Sequence, residues 1–263
     1  MGKFFQGPAR QGRKMVGLAV TAVLLCVFSA QTAMAAACSN AVVTGSYGLL
    51  VTGYDASGLY QQGVALIKAN GKGAFTGTET ESDDGTLFNK VAISGSYSIG
   101  GNCAGTGTII NAKNGNQSHY NFVVDPVANQ VEAVGTDSGH GTASGVAVSL
   151  GTATCTAAAM TGTYGFHGGG DIPGQAQWAL GGQLAFNGAG NLSGNETSVV
   201  GGTVTSAETL TGTYTMAANC TGTLTYKVGT VTRKWNFVLT NGGQGFVAID
   251  TVSGFVGTIT ARE

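Results

Sequence analysis

Glu79 and Glu196 are the residues whose setting in this chain best suits chemistry. Each follows an apolar residue, Phe75 or Leu192, by four positions, with Gly77 or Gly194 between. On a β-strand that spacing puts the carboxyl on the same face as its apolar neighbour. If that face looks inward, burial raises the carboxyl pKa and equips it to hold a polar ligand head or to move a proton. At an exposed strand end the same residue would only aid solubility. No second acid or base accompanies both glutamates, so the pair by itself specifies no reaction.

Other candidate chemistry is thinner. His119, His140 and His167 have neither the i, i+4 spacing of a zinc-binding helix nor repeated counterparts, so no metal site is expected. His167 opens the run His167-Gly168-Gly169-Gly170-Asp171, which reads as a surface turn. Asp83-Asp84-Gly85 lacks the spaced oxygen ligands of a calcium loop and reads as a hairpin tip. There is no Gly-x-Ser-x-Gly, and the Gly-rich stretches lack the Lys-Ser/Thr of a phosphate loop. No cofactor and no catalytic residue are expected from these patterns.

The elements that carry these residues come in two copies. Cys38 and Cys103 are 65 positions apart, and so are Cys155 and Cys220. At an offset of 117, Thr44-Gly45-Ser46-Tyr47-Gly48 falls on Thr161-Gly162-Thr163-Tyr164-Gly165, and Asn70-Gly71-Lys72-Gly73 on Asn187-Gly188-Ala189-Gly190. Asn102-Cys103-Ala104-Gly105-Thr106 likewise meets Asn219-Cys220-Thr221-Gly222-Thr223. Glu79 meets Glu196 at the same offset, and after a two-residue deletion Tyr120-Asn121-Phe122-Val123 meets Trp235-Asn236-Phe237-Val238. This reads as a tandem duplication, with one copy in residues 36–150 and the other in 155–263, each near the common size of a domain. Matched spacing favours bridges within each copy, Cys38–Cys103 and Cys155–Cys220. Bridges between copies, Cys38–Cys155 and Cys103–Cys220, stay open on sequence alone.

Within each copy the residues alternate with period two. Ile93, Gly95, Tyr97 and Ile99 interleave with serines, and Leu210, Gly212, Tyr214 and Met216 interleave with threonines. Such alternation signals antiparallel strands with one buried face. Tyr47, Tyr97, Tyr120 and Phe122 of copy one, and Tyr164, Phe166, Tyr214, Trp235 and Phe237 of copy two, would share that inner face. There they either line a ligand cavity or simply pack. Asn70-Gly71, Asn114-Gly115 and Asn187-Gly188 supply the positive φ angles of tight hairpins. About eight strands per copy, joined by short connections, most naturally close into a barrel that removes its own edges. The expected fold is therefore all-β, two tandem antiparallel up-and-down β-barrels, with two β-sandwiches as the alternative.

Composition narrows the partners. Residues 1–35 read as a cleaved signal peptide: Lys3, Arg10, Arg13 and Lys14 precede an apolar run from Met15 to Ala30 and the small residues of Ala33-Met34-Ala35. Cleavage would remove four basic groups and Cys26, leaving 8 basic against 13 acidic residues and four cysteines. That balance argues against nucleic acid, and paired cysteines suit an oxidising compartment. An exported chain, periplasmic, cell-surface or extracellular, is expected, with no transmembrane segment once the signal is removed.

The recurring Gly-x-Tyr-Gly, Asn-Gly-x-Gly, Gly-x-Tyr, Asn-Cys-x-Gly-Thr and Asn-Phe-Val pattern resembles exported bacterial Gly/Thr-rich tandem-repeat β proteins, a group that brings no activity to transfer. In architecture each copy also resembles lipocalin-like and allene-oxide-cyclase-like barrels, a resemblance that implies apolar ligands and, for the second, cyclase or isomerase chemistry. The expected function is an exported non-enzymatic barrel protein that binds a small apolar ligand. The alternatives are a structural or adhesive protein with a cell-surface partner, and a cyclase- or isomerase-like enzyme.

Overall fold

The computed structural model describes residues 37–138, 141–152 and 154–263; the expected signal peptide and His140 lie outside them. The first copy forms strands β1 (Thr44–Tyr54), β2 (Tyr60–Asn70), β3 (Ala74–Asp83), β4 (Thr86–Ile99), β5 (Ala104–Asn111), β6 (Gln117–Asp125), β7 (Gln130–Gly135) and β8 (Thr142–Ser149). The second forms β9 (Thr161–Ile172), β10 (Ala176–Asn187), β11 (Asn191–Val200), β12 (Thr203–Met216), β13 (Thr221–Val228), β14 (Val231–Thr240), β15 (Gly245–Asp250) and β16 (Val256–Arg262). Every strand pairs antiparallel with its chain neighbour, and β1–β8 and β9–β16 close the two barrels. The all-β tandem barrel fold is what alternation and short turns dictate.

One local expectation fails. The run His167–Asp171 lies inside β9, not in a surface turn. The reason is close strand approach: Cβ atoms on Gly168 and Gly170 would collide with the Thr258 and Val256 carbonyls of β16. On β16 itself, a Cβ on Gly257 would collide with the Trp178 ring. The glycines therefore serve close packing of β9, β10 and β16 rather than flexibility.

One end of each barrel is closed by the segment that precedes its first strand. In barrel 1 a short 3-10 turn, Asn40–Val42, lies across the opening. The Tyr97 hydroxyl donates to the Val43 carbonyl at 2.6 Å, and Ile99 N–H donates to Asn40 Oδ1 at 2.8 Å. The Cys38–Cys103 disulfide ties this plug to the β4–β5 connection. Barrel 2 repeats the device: the Tyr214 hydroxyl reaches the Ala157 and Met160 carbonyls at 2.9 and 3.1 Å, beside Cys155–Cys220. Both bridges fall within a copy, which removes the inter-copy pairing.

The barrels pack side by side as one compact unit. Val64 and Leu150 of barrel 1 join the buried cluster that contains Val238 and Val247 of barrel 2. Gly48 gives the close approach, since a Cβ there would lie 2.8 Å from Thr240 Cγ2. Across the same face Asn236 donates to Asn89 Oδ1 at 3.1 Å, and Gly242 N–H to the Leu150 carbonyl at 2.8 Å. The contact strands are therefore buried on both faces, which breaks the simple inside-apolar, outside-polar rule for β14 and β15.

Each disulfide closes a loop of 65 residues. In the chain-entropy picture that constrains the unfolded state by about 4 kcal/mol. Replacing Cys38 and Cys103 by serine should lower the unfolding free energy by about that amount. Guanidinium titration checks the loss, and amide exchange should show Val42 and Val43 losing protection first.

Candidate functional site

The interior of barrel 1 holds two adjoining spaces. Towards the plugged end is an apolar cavity of about 90 Å³. Tyr47 and Leu49 of β1, Ile67 of β2, Tyr97 of β4 and Phe122 of β6 are among its walls. Towards the other end the barrel widens into a polar mouth of about 250 Å³, bordered by Glu79, Glu81, Asp83, Asn111, His119 and Asp137. Val51, Ile109 and Tyr120 border both spaces and form the collar between them.

Glu79 stands where the wall turns from apolar to polar. Among the described residues no hydrogen bond to its carboxylate exists, although its neighbours are well paired. Glu81 accepts from Asn111 Nδ2 at 3.0 Å, Asp83 from Gln61 Nε2 at 3.1 Å, and Asp137 pairs with His119 Nδ1 at 2.6 Å. Gly63 makes the room: a Cβ there would collide with Glu79 Oε1. Burial, reinforced by the nearby Glu81 charge, pushes the Glu79 pKa from 4.5 up to about 7. Burial likewise raises Glu81, with the Asn111 hydrogen bond opposing. Tyr120 is raised by burial first and by the Glu79 charge second, so it stays neutral.

The equivalent carboxylate in barrel 2 has a different fate. Glu196 is fully buried, accepts from the Tyr226 hydroxyl at 2.8 Å and pairs with Arg233 Nη2 at 3.3 Å. Arg233 also lies 5.3 Å from the Trp178 ring centre. In barrel 1 the strand positions of Tyr226 and Arg233 belong to Ile109 and Ser118, so Glu79 inherits neither partner. Nearby Asp250 is pushed up by burial to about 6.

Volume follows the same contrast. Where barrel 2 has Phe166, Leu180, Phe186, Leu224, Trp235 and Phe246, barrel 1 has Leu49, Gly63, Ala69, Gly107, Tyr120 and Val131. An eight-stranded barrel is just wide enough for side chains to fill it or for one small ligand. Barrel 2 takes the first option. Tyr164 and Tyr214 pack edge-on against Phe186 at 5.1 Å, Phe237 meets Phe246 at 5.6 Å, and Trp235 meets Trp178 at 6.3 Å. Barrel 1 is hollow.

The residues singled out from sequence therefore part company. Glu79, Tyr47, Tyr97, Tyr120 and Phe122 come together around the space in barrel 1. Glu196, Tyr164, Phe166, Tyr214, Trp235 and Phe237 are buried in the packed interior of barrel 2. Sequence reasoning missed Glu81, Asp83 and Asp137. Two of these had a legible signal, because Glu79, Glu81 and Asp83 alternate along one strand with period two. His119 joins the mouth, whereas His167 faces the groove between barrels, its Nε2 3.5 Å from Thr260 Oγ1.

Among the described residues no three His, Cys, Asp or Glu side chains gather to hold a metal, and no helix is long and apolar enough to cross a membrane. Together the fold and the cavity define the class: a tandem β-barrel protein with one hollow and one filled barrel. No protein-family model matches the chain, and no curated protein matches it.

A raised native pKa means that the folded state holds the Glu79 proton longer than the unfolded chain does. Stability from this group is therefore fully present below 4.5 and is lost as pH rises through about 7. Glu79→Gln should remove that loss, making the variant more stable than the parent at pH 8 by up to about 3 kcal/mol. Urea unfolding of both proteins between pH 5 and pH 8 measures the difference. Equal slopes would show that Glu79 titrates normally.

Proposed function

We propose that this protein is an exported carrier of a small apolar molecule, held in barrel 1, with barrel 2 as its rigid, filled companion. The observation that supports this most directly is the replacement of large interior side chains by small ones in one barrel only. Cavities in protein interiors cost stability, because their walls lose contacts that nothing replaces. The unpartnered carboxylate at the adjoining mouth adds to that cost, since burial disfavours its charged form. Barrel 2 shows that the same framework accommodates both the volume and the carboxylate when the surrounding side chains are chosen to do so.

Two intrachain disulfides suit the oxidising conditions outside the cytoplasm. The N-terminal signal pattern supports the same destination, the periplasm, cell surface or extracellular space. A carrier needs an apolar cavity and a polar mouth. A cyclase- or isomerase-like barrel would need a second group in hydrogen-bond reach of Glu79, and none of the described residues makes that bond.

Filling the cavity with the residues of barrel 2 tests the reading. Ala69→Phe and Gly107→Leu place the Phe186 and Leu224 side chains at the matching positions of barrel 1. Each should weaken binding of a small apolar probe such as n-butanol by about tenfold or more. Near-ultraviolet circular dichroism confirms that the variants are folded. Native mass spectrometry of the parent protein, expressed in an oxidising compartment, should show bound mass that denaturation releases. A bare mass with no probe binding would favour the structural or adhesive role.

A further inference from the structure

The charges around the mouth of barrel 1 point to the kind of head group that an apolar tail there would carry. Strand β3 directs Glu79, Glu81 and Asp83 into this space. The hairpin that follows β3 adds Asp84 to the rim, and the one that follows β1 adds Asp55. From β6 comes His119, already paired with Asp137 of the β7–β8 connection. Asn111 and Gln61 are spent on Glu81 and Asp83, and Tyr120 is a neutral hydroxyl. Among the described residues no lysine or arginine borders the space. Lys113, on the β5–β6 connection, lowers the Glu81 pKa from a distance while its Nζ sits 3.0 Å from the Phe88 ring centre. The carboxylate left without a partner is the innermost one, Glu79, at the collar above the apolar cavity.

Barrel 2 shows what this framework supplies to such a carboxylate when it is meant to be self-sufficient: a guanidinium and a hydroxyl, in Arg233 and Tyr226. In barrel 1 both are missing and the cavity is open beneath. We infer that the ligand supplies the missing cation: barrel 1 binds a primary amine with a short apolar tail, its ammonium at Glu79 and its tail below the Val51–Ile109–Tyr120 collar. This inference rests on the carrier reading and names its ligand class. An ammonium takes the place of Arg233, donating to Glu79 in a partly desolvated site, where such charge-assisted hydrogen bonds are strong. The space of about 90 Å³ is smaller than the engineered dry cavity of about 150 Å³ that holds benzene, so it suits a short alkyl tail of about four carbons rather than a ring.

The pH dependence follows from the same groups. Glu79 ionises only near neutrality, whereas an alkylamine stays protonated throughout the range, so amine binding should strengthen as pH rises from 5.5 to 8. Glu81 is raised in the same direction by burial, with Lys113 opposing that shift. His119 and Asp137, paired with each other at 2.6 Å, also face the mouth.

Isothermal titration of the mature, oxidised chain with n-butylamine, n-butanol and n-butanoate is the test. At pH 8 the amine should bind about tenfold tighter than the alcohol, and butanoate weakest of the three. Lowering the pH to 5.5 should erase most of the preference for amine over alcohol. Glu79→Gln should do the same at pH 8, while Glu132→Gln, on the outer face of β7, should keep the preference. The wild-type pH series needs no variant to fold. Butanol equal to or tighter than butylamine at pH 8 would overturn the cationic head and leave the carrier reading standing. Binding of none of the three would overturn both.

Discussion

Closing eight strands into a barrel fixes its circumference, and with it the interior volume that side chains must either fill or leave to something else. Backbone hydrogen bonding sets that wall almost independently of sequence, since both barrels have the same strand order and the same closure between first and last strands. What differs is the sum of inward-facing side chains. Phe186, Leu224 and Phe246 fill one barrel, while Ala69, Gly107 and Val131 leave space in the other. The two halves thus share a fold and diverge in packing. A few inward positions decide which half is a core and which is a container.

The shared carboxylate shows this divergence in electrostatic form. Glu196 is paired with Arg233 and accepts from Tyr226, so its buried carboxylate has both a counter-charge and a hydrogen bond. Glu79 has the same strand position but loses both partners and gains Gly63 beside it. Its raised pKa is the direct consequence of a wall built without compensation. The mouth of barrel 1 therefore joins a carboxylate without a protein partner to the edge of the cavity.

The remaining architecture serves to hold that container still. The plug, its tyrosine hydroxyl bond and its disulfide seal one end of barrel 1, leaving the carboxylate end as the polar opening. Barrel 2 braces the outer face of β1 and β2 through Val238 and Val247, so the strands that carry Tyr47, Leu49 and Gly63 are supported from both sides. A filled barrel packed against a hollow one offsets part of the stability that the cavity forgoes.

Much of this was determined by the sequence by itself. Period-two alternation, Asn-Gly turns and matched cysteine spacing specify strands, copies and the inward aromatic set that includes Tyr97, because those features depend only on local geometry, whereas alternation left Glu79 open between an inward face and an exposed strand end. Periodicity also places Glu81 and Asp83 beside Glu79. Other features were decided only by the tertiary structure. Whether an inward aromatic packs or lines a space depends on what stands across the barrel, and Tyr47 and Tyr164 look alike until Phe186 or Ala69 is seen opposite. The glycine run after His167 resembles a turn until β16 is in place beside it. The missing partners of Glu79 lie on β5 and β6, about 30 and 39 residues away in the chain. Side-chain direction is a local property and can be read along one strand; volume and charge compensation are properties of residues brought together only when the barrel closes.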